Sequence, residues 1–164
     1  MVALVLVGPM GVGKTTIGKK LAKALELPFL DTDAIITSEH GKISEIFEVQ
    51  GETRFREIEE EVVIGQLAYS SVIATGGGAV LSEHTRAALA SAFVVYLATD
   101  GRHMASRLQN GDRPLLKNGV NDWRRIYESR RHLYEQVADL TVDTSGKALV
   151  AIISEIRDAY QKHD

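Results

Sequence analysis

A glycine-rich segment near the start of the chain has the residue types that bind phosphate groups. It reads Gly8-Pro9-Met10-Gly11-Val12-Gly13-Lys14-Thr15 and matches the pattern G-x-x-x-x-G-K-[ST]. It follows a predicted strand and opens a predicted helix, where backbone N–H groups and the helix N-terminus can converge on an anion. Lys14 would bring an ammonium to the terminal phosphates, and Thr15 could ligate a bridging Mg²⁺. The pattern therefore predicts a nucleoside triphosphate site. Its candidate ligands are Gly11, Val12, Gly13, Lys14, Thr15 and Thr16.

Two polar segments that follow predicted strands are candidates for the remaining chemistry. Asp31-Thr32-Asp33 follows the second strand, and strand ends in an open α/β sheet face the ligand crevice. One carboxylate could hold a water on Mg²⁺ and the other could meet a hydroxyl group. The same residues are equally typical of a turn and N-cap before a helix starting at Ala34. Thr75-Gly76-Gly77-Gly78 follows the third strand, and its three glycines favour close approach of a ligand over a simple bend.

Several arginines could add positive charge to an anion site. They are Arg54, Arg56, Arg107, Arg113, Arg130 and Arg131. Taken alone, each is more typical of a solvated or ion-paired surface residue, and Arg56 has Glu59 at i+3 spacing. Arg113 lies in a Gly/Asn/Asp-rich segment, 109–122, that predicts a mobile loop. A guanidinium there could swing over the phosphates and exclude water.

Apolar strands and amphipathic helices alternate along the chain and must position these residues. The predicted strands are 2–7, 28–30, 71–74, 93–97 and 140–142. One predicted helical face carries Ile17, Leu21, Ala24 and Leu25, and another carries Ile58, Val62 and Leu67. Because continuous apolar strands separated by helices are typical of a parallel sheet covered on both faces, the pattern predicts a doubly wound α/β domain. Two stretches exceed that minimal plan: a helical insert from 33 to about 68 and the 109–122 loop.

The composition excludes several functional classes. The 164 residues carry 19 Lys and Arg against 22 Asp and Glu, and 6% are aromatic, which argues against a general nucleic-acid surface. Zero cysteines exclude thiol nucleophiles, disulfide frameworks and cysteine zinc sites, and agree with a reducing cytoplasm. The apolar run at 2–7 is too short for a signal peptide or a membrane span. We expect one domain over 1–164, cytoplasmic and monomeric, with a small-molecule partner.

Together, these segments resemble the shikimate kinase family. The likeness covers residues 8 to about 143, with the motifs in the family's order and at its approximate spacings. The matching segments are the phosphate loop, Asp31-Thr32-Asp33, Gly51-Glu52-x-x-Phe55-Arg56-x-x-Glu59, Gly76-Gly77-Gly78-Ala79-Val80, Arg113-Pro114-Leu115-Leu116 and Arg130-x-x-Leu133-Tyr134. The resemblance implies the nucleoside monophosphate kinase fold, a five-stranded parallel sheet flanked by helices. It also implies a shikimate-binding insert at about 33–61 and a lid at about 109–122.

The resemblance implies that ATP phosphorylates the 3-hydroxyl of shikimate, a step toward chorismate and the aromatic amino acids. Arg56 and Arg130 would clamp the shikimate carboxylate, with help from the backbone of Gly77 and Gly78. Glu59 would hold Arg56 in place.

The resemblance also implies the catalytic roles. Asp33 would bind ring hydroxyls and orient, or deprotonate, the attacking one. Thr15 would ligate Mg²⁺, with Asp31 in the outer shell of the ion. Lys14 and Arg113 would neutralise charge on the transferring phosphoryl group, so catalysis would consist mainly of positioning and electrostatics.

Some positions depart from the family pattern or leave a choice. His132 stands where the family often has Pro, so Arg130 and Arg131 compete for the clamp, and counting back from Tyr134 favours Arg130. Arg107 would stack on adenine, and the loop 144–147 would border it. The rival hypotheses are a kinase for gluconate or a nucleoside monophosphate, and a regulatory nucleotide-binding module without chemistry. Asp33, Arg56 and the three glycines argue against the first, and the presence of the catalytic candidates argues against the second.

Overall fold

Five strands alternate with α-helices in the part of the chain that the computed structural model describes, residues 1–108, 116 and 119–163. The strands are β1 (Leu4–Val7), β2 (Phe29–Asp31), β3 (Val72–Ala74), β4 (Phe93–Ala98) and β5 (Leu140–Asp143). The helices are α1 (Lys14–Leu25), α2 (Thr32–His40), α3 (Ile43–Gln66), α4 (Glu83–Ala88), α5 (Met104–Arg107), α6 (Val120–Val137) and α7 (Leu149–His163). All five predicted strands are therefore confirmed, with ends that differ by one or two residues.

All five strands run parallel in a single sheet, in the order β2-β3-β1-β4-β5. The central strand β1 pairs with β3 through Leu6 and Ala74 and with β4 through Val7 and Tyr96. Because parallel strands share one carboxyl edge, the loops that follow them meet at that edge. This topology confirms the predicted five-stranded parallel sheet flanked by helices, and it places the phosphate loop at the centre of the edge.

The two faces of the sheet carry separate cores, because successive side chains of a strand point to opposite faces. Leu4 and Leu6 pack in a core with residues of α1 and α7. Val5 and Val7 pack in a second core with residues of α6. Burial of β1 on both faces is the reason that its sequence is a continuous apolar run.

The predicted apolar face of α1 is wrong at one position. Leu21 is buried, but Ala24 is exposed and Ala22 is buried in its place. The cause is Gly18, where a Cβ would lie 2.5 Å from the Phe29 ring. Because Gly18 has no side chain, Phe29 of β2 packs against α1 at this position. The buried face of α1 therefore includes Gly18 and Ala22. Ala24 then lies at the edge of the face.

Helices α2 and α3 form the predicted helical insert. Helix α2 begins at Thr32, earlier than the expected start at Ala34, and α3 contains a break at Gly51, where φ is 85°. Helix α3 continues to Gln66, past the proposed end of the insert at 61. A third core joins the two helices and includes Ile36, Ile46, Phe55, Ile58 and Val62.

The proposed lid range, 109–122, is described only in part. Residues 120–122 form the first turn of α6, and Leu116 packs against the core on that side of the sheet. The predicted phosphate ligand Arg113 lies outside the described residues. None of the helices described is long and apolar enough to cross a membrane.

Candidate active site

The loop between β1 and α1 has the geometry of an anion site. Gly13 is the N-cap of α1 with φ 110°, a conformation that favours glycine, and it has no side chain with which to cap the first turn. The first turn of α1 thus has no side-chain cap, an arrangement typical of helix N-termini that bind anions. The Lys14 side chain is 8% exposed, and its ammonium donates to the carbonyls of Gly8 at 2.6 Å and Pro9 at 2.8 Å. The ammonium thus lies over the loop, where it can meet bound phosphates.

Asp31, at the end of β2, links the phosphate loop to α2. Its Oδ2 accepts a hydrogen bond from the Thr15 hydroxyl at 3.0 Å. Its Oδ1 accepts from the backbone N–H groups of Asp33 at 3.0 Å and Ala34 at 3.2 Å, so it is also the N-cap of α2. The two predicted magnesium ligands, Thr15 and Asp31, therefore lie side by side. A hydroxyl and a carboxylate are donors that suit Mg²⁺.

Arg56 lies against the glycine-rich loop that follows β3. A Cβ on Gly78 would be 2.3 Å from Nη1 of Arg56, so the guanidinium occupies the space that a side chain would need. Arg56 donates to Glu59 at 2.9 Å and to Glu52 at 3.3 Å. Glu59 thus holds Arg56 as predicted. The role of Glu52 was not anticipated, although its i, i+4 spacing to Arg56 is a visible signal.

Arg130 approaches the same loop from α6. Its guanidinium lies 3.7 Å from the position of a Cβ on Gly77, and the side chain is 6% exposed. Burial lowers the pKa of Arg130, and the nearby Arg56 charge lowers it further. Arg131, by contrast, is exposed and donates to Glu128 at 2.6 Å. Of the two arginines that competed for the clamp, Arg130 is the one that faces the glycine-rich loop.

Two carboxylates flank Gly76 in the same loop. A Cβ there would lie 2.9 Å from Oδ1 of Asp33 and 3.0 Å from Oε2 of Glu59. Burial raises the pKa of Glu59, while the Arg56 charge opposes that rise. Glu59 is thus a buried counter-charge that faces both arginines. Because the charges of Arg56 and Arg130 act on each other as well as on Glu59, a ligand carboxylate would reduce the repulsion between the two guanidinium groups.

A cavity of about 280 Å³ lies between the phosphate loop, the residues after β2 and the glycine-rich loop. Its lining includes Lys14 and Thr15 from the phosphate loop, Asp31 and Asp33 from the end of β2, and Gly77 from the glycine-rich loop. The structure therefore brings Lys14 and Thr15, two of the predicted phosphate-site residues, and the predicted hydroxyl ligand Asp33 to one space. Such an arrangement can hold a phosphate donor and a small hydroxylated acceptor in contact.

A second cavity, of about 500 Å³, extends from the phosphate loop on the other side. Gly11, Thr16, Arg107, Thr144 and Lys147 are among the residues that line it. Arg107 donates to the Gly11 carbonyl at 3.2 Å, so it lies beside the phosphate loop. The loop 144–147 is shaped by Asp143, which accepts from the Ser145 N–H at 2.9 Å. That bond lowers the pKa of Asp143. The cavity is large enough for a nucleoside, and it contains the two elements expected to border adenine.

Sequence reasoning missed two side chains of α6 that bond to the loops of the site. Trp123 donates to the Met10 carbonyl at 2.8 Å, and Tyr134 donates to the Gly77 carbonyl at 2.6 Å. The available signal was the aromatic spacing on α6, since Trp123, Tyr127 and Tyr134 recur at i, i+4 and i+11 on one helical face.

Comparisons with known proteins agree with this geometry. A family model described as shikimate kinase matches residues 10–161. A shikimate kinase from Streptomyces coelicolor is 45% identical over 162 residues, which cover 96% of this chain and 95% of that protein. A shikimate kinase from Francisella tularensis subsp. novicida is 42% identical over 160 residues, covering 92% of this chain and 90% of that protein.

Solved structures show the same likeness in three dimensions. The shikimate kinase from Acinetobacter baumannii in complex with shikimate has a TM-score of 0.93 at 35% identity, covering 100% of this chain and 95% of that one. Both kinds of match extend over the phosphate loop, the insert and α6 rather than over the nucleotide-binding motif alone. This protein belongs to the shikimate kinase family.

Proposed function

We propose that this protein transfers the γ-phosphoryl group of ATP to the 3-hydroxyl of shikimate, giving shikimate 3-phosphate and ADP. The product would lead to chorismate and the aromatic amino acids. One observation carries the proposal: the cavity that contains Lys14 and Asp33 is bounded by the glycine-rich loop, against which Arg56 and Arg130 both lie. In this proposal the Asp33 carboxylate lies between the site for the phosphate donor and the site for the shikimate carboxylate. Family membership supports shikimate as the acceptor.

Arg56 and Arg130 would bind the shikimate carboxylate. A planar guanidinium donates two parallel hydrogen bonds to a carboxylate, and burial of Arg130 strengthens such charge-assisted bonds. The backbone N–H groups of Gly77 and Gly78 would add donors, because the absence of side chains lets a ligand approach closely. This clamp fixes one end of a rigid ring and so determines which hydroxyl faces the phosphate loop.

Asp33 would accept a hydrogen bond from the 3-hydroxyl and orient it toward the γ-phosphorus. As the oxygen–phosphorus bond forms, the bond between the γ-phosphorus and the bridging oxygen of ADP breaks, and the hydroxyl proton passes to Asp33. Lys14 would neutralise the developing charge on the phosphoryl oxygens. Arg113 would do the same from the proposed lid, 109–122.

Thr15 and Asp31 fit a magnesium ion, because their oxygens are adjacent and a hydroxyl and a carboxylate are oxygen ligands that suit Mg²⁺. Thr15 would ligate the ion directly and Asp31 would hold its water ligands. The chemistry that Mg²⁺ would supply there is neutralisation of charge on the terminal phosphates. These two side chains would also orient the nucleotide through the phosphate loop.

We also propose the remaining features of the enzyme. The nucleoside would occupy the 500 Å³ cavity, with Arg107 stacked on adenine. The 33–61 insert would bind the acceptor. The net charge of −3 and the lack of cysteine favour a cytoplasmic enzyme that does not bind nucleic acid. We further propose that the enzyme acts as a monomer.

ADP release from ATP and Mg²⁺ tests the proposal directly. Shikimate, quinate, gluconate and a nucleoside monophosphate serve as parallel acceptors, and Lys14→Ala provides the background rate. We expect stimulation by shikimate above the other acceptors, and shikimate 3-phosphate as the product by mass spectrometry. Stimulation by a nucleoside monophosphate alone would overturn the carboxylate clamp, and stimulation by quinate or gluconate alone would overturn shikimate as the acceptor. Either result would spare the nucleotide site. No stimulation by any acceptor would favour a nucleotide-binding module without transfer activity.

A further inference from the structure

One face of α6 bonds to both loops of the candidate active site. Trp123, Tyr127, Arg130 and Tyr134 lie on it at i, i+4, i+7 and i+11. The Trp123 indole N–H donates to the carbonyl of Met10, in the phosphate loop. The Tyr134 hydroxyl donates to the carbonyl of Gly77, in the glycine-rich loop. A single helix therefore connects the loop proposed to bind ATP to the loop proposed to bind the acceptor.

The two bonded carbonyls lie where the two loops touch. A Cβ on Gly77 would be only 3.2 Å from the backbone N of Met10 and 3.7 Å from the carbonyl of Gly8. The loops thus approach closely at Met10 and Gly77, and the two hydrogen bonds from α6 end on these same two residues. A shift of either end of α6 would change the separation of the loops.

The bonding face of α6 is itself held rigidly. Tyr96, on β4, stacks on Tyr134 with ring centroids 5.3 Å apart, and its hydroxyl shares a hydrogen bond with that of Tyr127. Trp123 packs on Tyr127 at 5.3 Å and on Gly101, where a Cβ would be 2.8 Å from the indole. All four rings are at most 4% exposed.

Both donors also keep their protons. The indole N–H does not titrate in water. Burial raises the pKa of Tyr134 to about 12, so its hydroxyl remains a donor across the working pH range of an enzyme.

We propose that Trp123 and Tyr134 are positioning residues that fix the separation between the phosphate loop and the glycine-rich loop, with α6 as the spacer. The inference rests on the proposed function, because it assigns one loop to the phosphate donor and the other to the acceptor. Each loop can bind its own ligand without the spacer. In-line transfer, however, depends on the relative placement of the two ligands, and a misplacement of about 1 Å can cost about 100-fold in rate. The spacer therefore acts on turnover more than on binding.

The test compares Trp123→Phe, Tyr134→Phe and the double variant with Tyr160→Phe. Tyr160 is a matched control: it is buried and donates to a backbone carbonyl, that of Val2, but it packs with α1 and α7 on the opposite face of the sheet. The readouts are kcat at saturating substrates and the separate Kd values for ADP and shikimate from calorimetry.

We expect Trp123→Phe to lower kcat about tenfold while both Kd values stay within about twofold of wild type. Because Tyr134 also lies beside Arg130, Tyr134→Phe should lower kcat similarly and weaken shikimate binding as well. The kcat of the double variant should be little lower than that of either single variant, because loss of one hydrogen bond is enough for α6 to stop fixing the separation of the two loops. Tyr160→Phe should keep kcat within about twofold of wild type.

Three kinetic results would overturn the proposal: an unchanged kcat in Trp123→Phe, losses that multiply in the double variant, or an equal loss in Tyr160→Phe. A wild-type enzyme that no acceptor stimulates would instead refute the proposed function. If Trp123→Phe fails to fold, the fluorescence of Trp123 in the other proteins provides a second test, because Trp123 is the single tryptophan. Saturating shikimate should change its emission in wild type and change it less than half as much in Tyr134→Phe. Equal changes in the two proteins would count against the spacer.

Discussion

A single methyl group added at Gly78 tests whether acceptor binding depends on the position of Arg56. A Cβ at this glycine would lie 2.3 Å from Nη1, 2.6 Å from Cζ and 2.7 Å from Nη2 of Arg56. The whole guanidinium therefore faces the added atom. Because the clash falls on the end of a flexible side chain, the side chain can move and the backbone can stay in place.

The size of the effect follows from these distances. Ordinary contact begins at 3.4 Å, so Gly78→Ala must push the guanidinium away by about 1 Å, a displacement that can cost about 100-fold in a positioned site. Hydrogen bonds to charged groups contribute about 1.5–3 kcal/mol each. The KM for shikimate should thus rise about 10- to 100-fold. The bond from Arg56 to the buried Glu59 would also weaken, at a cost of about 1 kcal/mol in stability.

Steady-state kinetics and thermal unfolding measure these effects, with Gly65→Ala as the matched control. Gly65 lies on the exposed side of α3 with nothing within 4 Å of its missing Cβ. That substitution should leave the KM for shikimate unchanged and stabilise the helix by about 0.5–1 kcal/mol. In Gly78→Ala the KM for ATP should stay at the wild-type value, because Arg56 does not touch the phosphate loop. A KM for shikimate within about twofold of wild type would refute the reasoning.

Four further substitutions test other parts of the site. Lys14→Ala should abolish transfer and leave thermal unfolding cooperative, and residual turnover above about 1% of wild type would contradict its role. Asp33→Asn keeps an orienting oxygen but cannot take a proton, so kcat should fall at least about 100-fold. A kcat and a pH–rate profile like those of wild type would contradict proton transfer to Asp33 and would show that it only orients the hydroxyl. Arg130→Ala should raise the KM for shikimate about 10- to 100-fold, whereas Arg131→Ala, at the surface, should not. Burial raises the pKa of Glu59, so this carboxyl group binds more protons in the folded chain than in the unfolded chain above pH 4.5, and its contribution to the free energy of unfolding falls as pH rises. Glu59→Gln removes this pH dependence. In urea titrations at several pH values, the free energy of unfolding of wild type minus that of the variant should therefore decline from pH 4.5 upward. A difference that stays constant with pH would contradict the role of burial.

The sheet was predictable because each strand is a short apolar run that the fold buries. The run 93–97 contains only apolar or aromatic residues, and all of them are buried in β4. Parallel topology then follows from the helices between the strands. The error at Ala24 has a different origin. Helical periodicity predicts the width of an apolar face. Which residues of α1 lie at the centre of that face depends on the packing of Phe29, from a separate strand, against Gly18.

The site was predictable where residues follow strands, and less so where helices supply them. The phosphate loop, Asp33 and Gly77 lie at strand ends, which a parallel sheet must bring together. Arg56 and Arg130 depended on the family resemblance, because surface-like arginines carry no local sign of burial. One residue along a helix turns a side chain by about 100°, and that rotation separates the buried Arg130 from the exposed Arg131.

The bond between Trp123 and Met10 shows a stronger limit. It joins residues 113 positions apart, and neither residue has a local pattern that suggests the other. Periodicity could place the aromatic side chains of α6 on one face, but a packed core is the common explanation of such a face. Only the tertiary contact identifies which ring carries a hydrogen bond to the phosphate loop.

Asp31 shows how two explanations of one residue can both hold. A helix N-cap and a magnesium-site carboxylate are competing hypotheses for an aspartate that follows a strand. In the structure Oδ1 accepts from the first turn of α2, while Oδ2 faces the Thr15 hydroxyl. The capping bonds fix the rotation of the carboxylate, and this rotation directs the second oxygen toward the phosphate loop. The structural role would therefore position the proposed functional one, and an amide at this position would keep the cap but replace the carboxylate oxygen beside Thr15 with an NH₂ group.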